Sequence, residues 1–202
     1  WRYPVPNTYT AAFRHTPAIS AGVIYAVDEN DRLHMVDVDT GNASCAMPIP
    51  LRHSASSHPV VAGDQLLIPT DGSILVLPTA QCGALPQIIP VQVDSTISPA
   101  VSDSTIFTVE NSFLLAWNLE TRTLDVWDGP FQAESPITTA PAVADGIIYF
   151  GTQQGVVHAV DAGTGESEWT FEVGEPIFGG PVVTANAIFV ITTQEIISIA
   201  GR

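Results

Sequence analysis

Apolar positions in this chain come in short alternating runs, each closed by a cluster of Gly, Asp, Asn or Pro. No run keeps a 3.6-residue spacing beyond a turn or two, so the pattern predicts strands and nearly excludes helix. The runs themselves repeat. Five similar phrases are headed by a proline: "TPAISAGVIYAV" at Pro17, "HPVVAGDQLLIP" at Pro59, "SPAVSDSTIFTV" at Pro99, "APAVADGIIYFG" at Pro141 and "GPVVTANAIFVI" at Pro181. Successive prolines are 42, 40, 42 and 40 residues apart. Each phrase reads as a short strand, a tight turn and a β-branched or aromatic strand. A second turn follows ("DENDR", "TDGS", "ENS", "TQQG", "TTQE"), then a third alternating strand such as "LHMVDV", "ILVLP" or "VVHAVD". In the first four units a polar turn ("DTGN", "AQCG", "ETRT", "GTGE") leads on to a fourth strand.

Four short strands in a unit of about 40 residues are the signature of propeller blades. The expected fold is all-β: one domain over 1–202, a five-bladed β-propeller of four-stranded antiparallel blades. Blades fall near 14–50, 55–91, 95–131 and 137–173, and the fifth combines 177–202 with 1–6. The fifth unit stops at "EIISIAGR", the end of a third strand, while "WRYPVP" at the start has the look of a fourth. Pairing the two closes the ring and removes wet apolar faces and open edges. A section of a larger propeller is the alternative.

The fourth unit carries a finer pattern. Ala159, Asp161, Thr164, Gly165 and Trp169 match the A-x-D-x-x-T-G-x-x-x-W docking motif, and the unit resembles the pyrroloquinoline-quinone-like (PQQ-like) propeller repeat over its length. The first unit keeps Asp37, Thr40 and Gly41. The third has Asn118 for the Asp, Arg122 for the Gly and Trp127 one place late, and the second has lost nearly all of the motif. In that family the motif Trp packs on the Gly turn of the next blade, a docking role that extends here to Trp1. Cys45 stands at the Trp position of the first unit and Cys82 at the Gly position of the second. The resemblance thus implies a disulfide in place of the missing Trp contact, and with it an oxidising, extracytoplasmic compartment.

The resemblance does not carry the cofactor with it. Quinone-dependent dehydrogenases of the family have larger, eight-bladed rings and a vicinal Cys-Cys, and no adjacent cysteines occur here. Nor does the chain contain G-x-S-x-G, H-E-x-x-H, a P-loop or C-x-x-C. No cofactor and no enzymatic activity are expected, a quinone enzyme being the remote alternative. The non-enzymatic branch resembles extracytoplasmic sensor domains of bacterial Ser/Thr kinases and the lipoprotein scaffold of outer-membrane β-barrel assembly. The expected function is a sensor or ligand-binding domain of a larger membrane-anchored protein; a protein–protein scaffold is the alternative.

Composition narrows the partners. Twenty-one acids face six arginines and no lysine, a formal charge of −15, which repels nucleic acid and anionic lipid. Apolar residues make up 46%, too many for disorder, yet no run reaches the roughly 18 residues of a membrane helix. No signal peptide is visible, so any membrane anchor is expected outside this sequence. An isolated monomer is expected. "DVDTGN" at 37–42 begins like a calcium loop but lacks the later acidic ligand, and Asn42-Ala43-Ser44 is formally a glycosylation sequon.

The loops before the five prolines are expected to surround the mouth of the ring. They bring Arg14, His15, Ser56, Ser57, His58, Thr96, Thr138 and Thr139 toward it, and Arg52 and His53 lie in the same sector as Arg14, His15 and His58. Asp94, Glu134 and Glu175 fall on the other loops. The basic sector, with Ser57, Thr96 and Thr138 beside it, is expected to bind an anionic small molecule or a partner's acidic side chain. A metal on His15, His53 and His58 is the lesser alternative. His34 and His158 occupy one repeat position, three before the motif Asp, and read as structural strand residues.

Overall fold

The computed structural model describes residues 1–3, 12–91 and 97–200. It divides into two compact units, 1–96 and 97–202. Both are all-β among the described residues.

The first unit holds two four-stranded antiparallel sheets in sequential order. One is β1 (Ala18–Ser20), β2 (Val23–Val27), β3 (Arg32–Asp37) and β4 (Ile49–Pro50); the other is β5 (Val60–Ala62), β6 (Gln65–Thr70), β7 (Ser73–Pro78) and β8 (Gln87–Ile89). Tyr25, Leu33, Leu66, Ile68, Leu75 and Leu77 form one core between them, each at most 2% exposed. The Tyr25 hydroxyl reaches the Thr79 carbonyl at 2.9 Å, so the buried ring keeps its polar end bonded.

The second unit holds three sheets: β9 (Ala100–Ser102) to β12 (Phe131–Gln132) through β10 (Thr105–Glu110) and β11 (Phe113–Asn118); β13 (Ala142–Ala144), β14 (Ile147–Gly151), β15 (Val156–Asp161) and β16 (Ser167–Glu172); and β17 (Ile177–Val183), β18 (Ala187–Thr192) and β19 (Ile196–Ala200). The middle sheet is apolar on both faces. Phe150 and Val160 join Phe107 and Leu114 on one side, while Val157 joins Ile188 and Val190 on the other. Burial on both faces explains why these strands read as nearly unbroken apolar runs. Asp145 and Gly146 turn β13 into β14 with both φ values positive (50° and 77°), the turn type that matches strand twist.

Each proline-headed phrase thus becomes one antiparallel sheet. Two details differ from expectation. Fourth strands are brief in the first three sheets (two, three and two residues), and only β16, in the unit with the full motif, reaches six. The last sheet has three strands among the described residues. The closing strand assigned to residues 1–6 lies, over residues 4–6, outside the described residues.

Candidate functional site

The docking turns are the best-defined local chemistry. Asp161 Oδ1 accepts the Thr164 backbone N–H (2.8 Å), the Thr164 hydroxyl (3.0 Å) and the Gly163 N–H (2.9 Å). Those bonds, led by the Thr164 backbone N–H, hold the Asp161 carboxyl below the usual carboxylate range. Asp37 and Thr40 repeat the arrangement in the first unit. The turn delivers Gly165 at φ +76° beneath the Trp127 ring, where a Cβ would lie 2.7 Å from Cδ2. Trp127 Nε1 donates to the Ala162 carbonyl at 3.0 Å. Trp1 repeats the seat on Gly41 and donates to the Val38 carbonyl at 2.9 Å. In the first unit Cys45 and Cys82 are joined in a disulfide with Cα atoms 5.6 Å apart.

The residues assigned to a basic mouth are only partly brought together. Arg14, His15, Arg52, His53, Ser57 and His58 belong to the first unit and Thr138 to the second. Thr96 and Asp94 lie outside the described residues. His15 and His58 are neighbours, ring centroids 5.9 Å apart. Burial, and then the His15 charge, push the His58 imidazole below its ordinary value. Arg14 is turned to Glu29 at 2.9 Å. The three-histidine metal alternative is not assembled: among the described residues no three His, Cys, Asp or Glu side chains are grouped to hold an ion. Ser57 is 4% exposed, and the Thr138 hydroxyl donates to the Ile177 carbonyl, so both serve the fold locally.

Two buried polar networks were not anticipated. In the first unit Asp28, 2% exposed, accepts the Asn30 and Arg32 N–H groups on Oδ1. Its Oδ2 meets Arg32 Nε and His34 Nε2, each at 2.9 Å. With Nε2–H donating to the carboxylate, His34 Nδ1 accepts the Tyr3 hydroxyl at 3.2 Å. Burial alone raises the Asp28 carboxyl, but His34, Arg32 and the two backbone N–H groups outweigh it and hold the group low. In the second unit His158 Nε2 donates to Glu134 Oε2 at 2.7 Å, and Thr152 donates to Oε1 at 2.8 Å. The His158 ring stacks on Phe150 and meets Phe131 edge-on. His34 and His158 are therefore bonded core residues. A signal for these networks was present: Asp28, Thr70, Glu110, Thr152 and Thr192 all stand eleven residues after a unit's proline, polar each time at the end of an apolar strand.

Removing the Glu134 carboxylate leaves the His158 donor without a partner. Glu134→Ala is expected to cost about 1–3 kcal/mol, toward the low end because that side chain is 36% exposed. Burial raises the Glu134 carboxyl, but Thr152, its own backbone N–H and His158 lower it further. A depressed folded-state pKa contributes stability above the ordinary value of 4.5, lost as pH falls through the lowered one. Urea midpoints should therefore differ between wild type and variant above that window and converge below it.

Large apolar side chains are exposed in both units, and in the second several of them share one sheet face. On the solvent face of that unit's last sheet, Val182 pairs Phe189 and Ile191 pairs Ile196. Val182, Ile191 and Ile196 are 60%, 46% and 70% exposed. Beside that sheet a groove of about 440 Å³ runs between β16 and β19, lined by Trp169, Phe171 and Ile199.

Part of the sequence and the fold have counterparts in known proteins. Residues 116–200 match the family model described as outer membrane protein assembly factor BamB. The crystal structure of BamB from Moraxella catarrhalis superposes with a TM-score of 0.69 at 19% identity, over 92% of this chain and 60% of that one. Residues 116–200 thus resemble PQQ-like β-propeller repeats, and the fold of the chain is a β-propeller. Two computationally designed proteins share the propeller chain's fold. Ika8 gives a TM-score of 0.68 at 13% identity, over 91% of this chain and 57% of its own. Ika4 gives 0.57 at 15%, over 70% and 88%. The propeller chain spans about three-fifths of the length of BamB and of Ika8. No curated protein matches its sequence.

Proposed function

We propose that this propeller chain is a non-catalytic protein-interaction module that works outside the cytoplasm. The observation that carries this reading is the solvent face of β17–β19, where Val182, Phe189, Ile191 and Ile196 form one apolar patch. Contiguous exposed apolar surface of this kind marks interaction sites on soluble folds. The likeness to an assembly factor supports a scaffold role. The Cys45–Cys82 bridge supports an oxidising compartment. The ligand-sensor reading has less behind it, because Glu29 already neutralises Arg14 and burial, with the His15 charge beside it, disfavours the charged form of His58.

A photo-cross-linking residue at Ile196 is expected to give discrete protein adducts in the native host, and one at Asp71 in the first unit none. Val182→Glu with Ile191→Glu should abolish the adducts while far-UV circular dichroism stays unchanged. Equal labelling from the two positions would overturn the reading.

A further inference from the structure

Every indole that sits on a docking turn in this fold takes a peptide carbonyl. Trp1 donates to Val38 and Trp127 to Ala162, in each case with a glycine under the ring. Trp169 holds the same motif position in the fourth unit as Trp127 in the third, 28 residues after the unit's proline. Its ring is half-buried, 5.9 Å from Tyr149, and its N–H has no acceptor among the described residues. It lines the groove between β16 and β19. β16 is the outer strand of its sheet, and β19 has β18 on one side only among the described residues. The groove therefore offers an apolar floor, an indole donor and strand-edge backbone groups together, the set that binds an extended peptide by strand addition.

Charge selects the kind of peptide. Glu166, Glu168 and Glu172 are exposed along or beside β16, and no Lys or Arg occurs between residues 123 and 201. A second copy of this chain is a poor occupant: its own net charge is −15, and its Gly41 and Gly165 turns already carry Trp1 and Trp127. Resting on the interaction-module reading, we infer that the Trp169 groove docks an extended segment of a partner protein, with a glycine over the indole and Lys or Arg on either side. The segment's carbonyl accepts the Trp169 N–H, its backbone pairs with the strand edge, and its cations face the β16 glutamates.

The test titrates the full chain with a synthetic peptide alternating Val and Lys about a central Thr-Gly, observed through the indole N–H resonances. Trp169→Phe assigns the signal. The Trp169 resonance is expected to move saturably while the other indoles stay put. Binding should weaken roughly tenfold or more in Trp169→Phe and in Glu168→Lys with Glu172→Lys. The Val/Glu counterpart peptide should leave the resonance unmoved. Thermal unfolding of each variant verifies the fold. A static Trp169 signal, equal response to the acidic peptide, or undiminished binding in folded Trp169→Phe overturns the proposal. Failure here with the Ile196 adducts intact removes the groove alone; loss of the Ile196 adducts with peptide binding intact removes the sheet face and leaves the groove.

Discussion

Trp127→Ala is expected to lower the unfolding free energy of the second unit by about 3–5 kcal/mol, the range for a large aromatic lost from a core. Trp127 is 8% exposed, stacks on Phe107 at 5.7 Å and belongs to the cluster containing Ile148 and Phe150. Its position on Gly165 makes it a clamp between two sheets as well as a buried surface. Trp127→Phe separates the two contributions. Most of the apolar contact stays, the bond to Ala162 goes, and about 1 kcal/mol is the expected loss. Gly165→Ala attacks the same joint from the other side, through the 2.7 Å approach to Cδ2 and a left-handed φ that an L side chain strains to adopt. Because the two side chains touch, Trp127→Ala combined with Gly165→Ala should cost clearly less than the two separate losses added together. Additive losses, measured by urea unfolding, would show that the ring and the turn do not act as one joint.

What the sequence made legible follows from what repeats. Proline spacing located every sheet, because strand length, turn length and blade thickness are fixed by backbone geometry that changes little from unit to unit. Motif position also placed Cys45 against Cys82, although neither residue type belongs to the motif. Trp127 looked displaced for a simple reason. The turn from β10 to β11 has two residues, Asn111 and Ser112, while that from β14 to β15 has four, so Asn118 comes early and Trp127 keeps its distance from the proline. The buried networks were harder to read because their partners come from unlike places. His34 finds its carboxylate in the turn before its own strand, at Asp28, and His158 finds one in the loop before its sheet, at Glu134. Equivalent histidines with inequivalent carboxylates leave no common histidine–carboxylate spacing, even though Asp28 and Thr152 share one repeat position. Arg14 illustrates the remaining limit: a charge count assigned it to an anion, whereas folding placed Glu29 within 2.9 Å.

Cutting the Cys45–Cys82 bridge should destabilise the first unit by a similar amount to the Trp127 change in the second. The cross-link spans 37 residues of chain. Loop-closure entropy for that span gives about 4 kcal/mol, on a model that attributes the effect to the unfolded chain. Native packing adds a local term, since Cys45 is 7% exposed and lies in the core cluster with Met35 and Leu51. The pair Cys45→Ala with Cys82→Ala therefore loses both, while Cys82→Ala with Cys45→Val restores apolar volume and isolates the entropic part. The cysteines are also the one place where the first unit replaces the indole-on-glycine clamp by a covalent bond, so reduction should loosen β3 and β7 together. Amide exchange under dithiothreitol should accelerate through residues 32–37 and 73–78 and leave 156–161 unchanged. Equal acceleration in all three segments would mean that the bridge does not act on its own unit, and an unchanged midpoint on reduction would place the stability of the first unit in its apolar core alone.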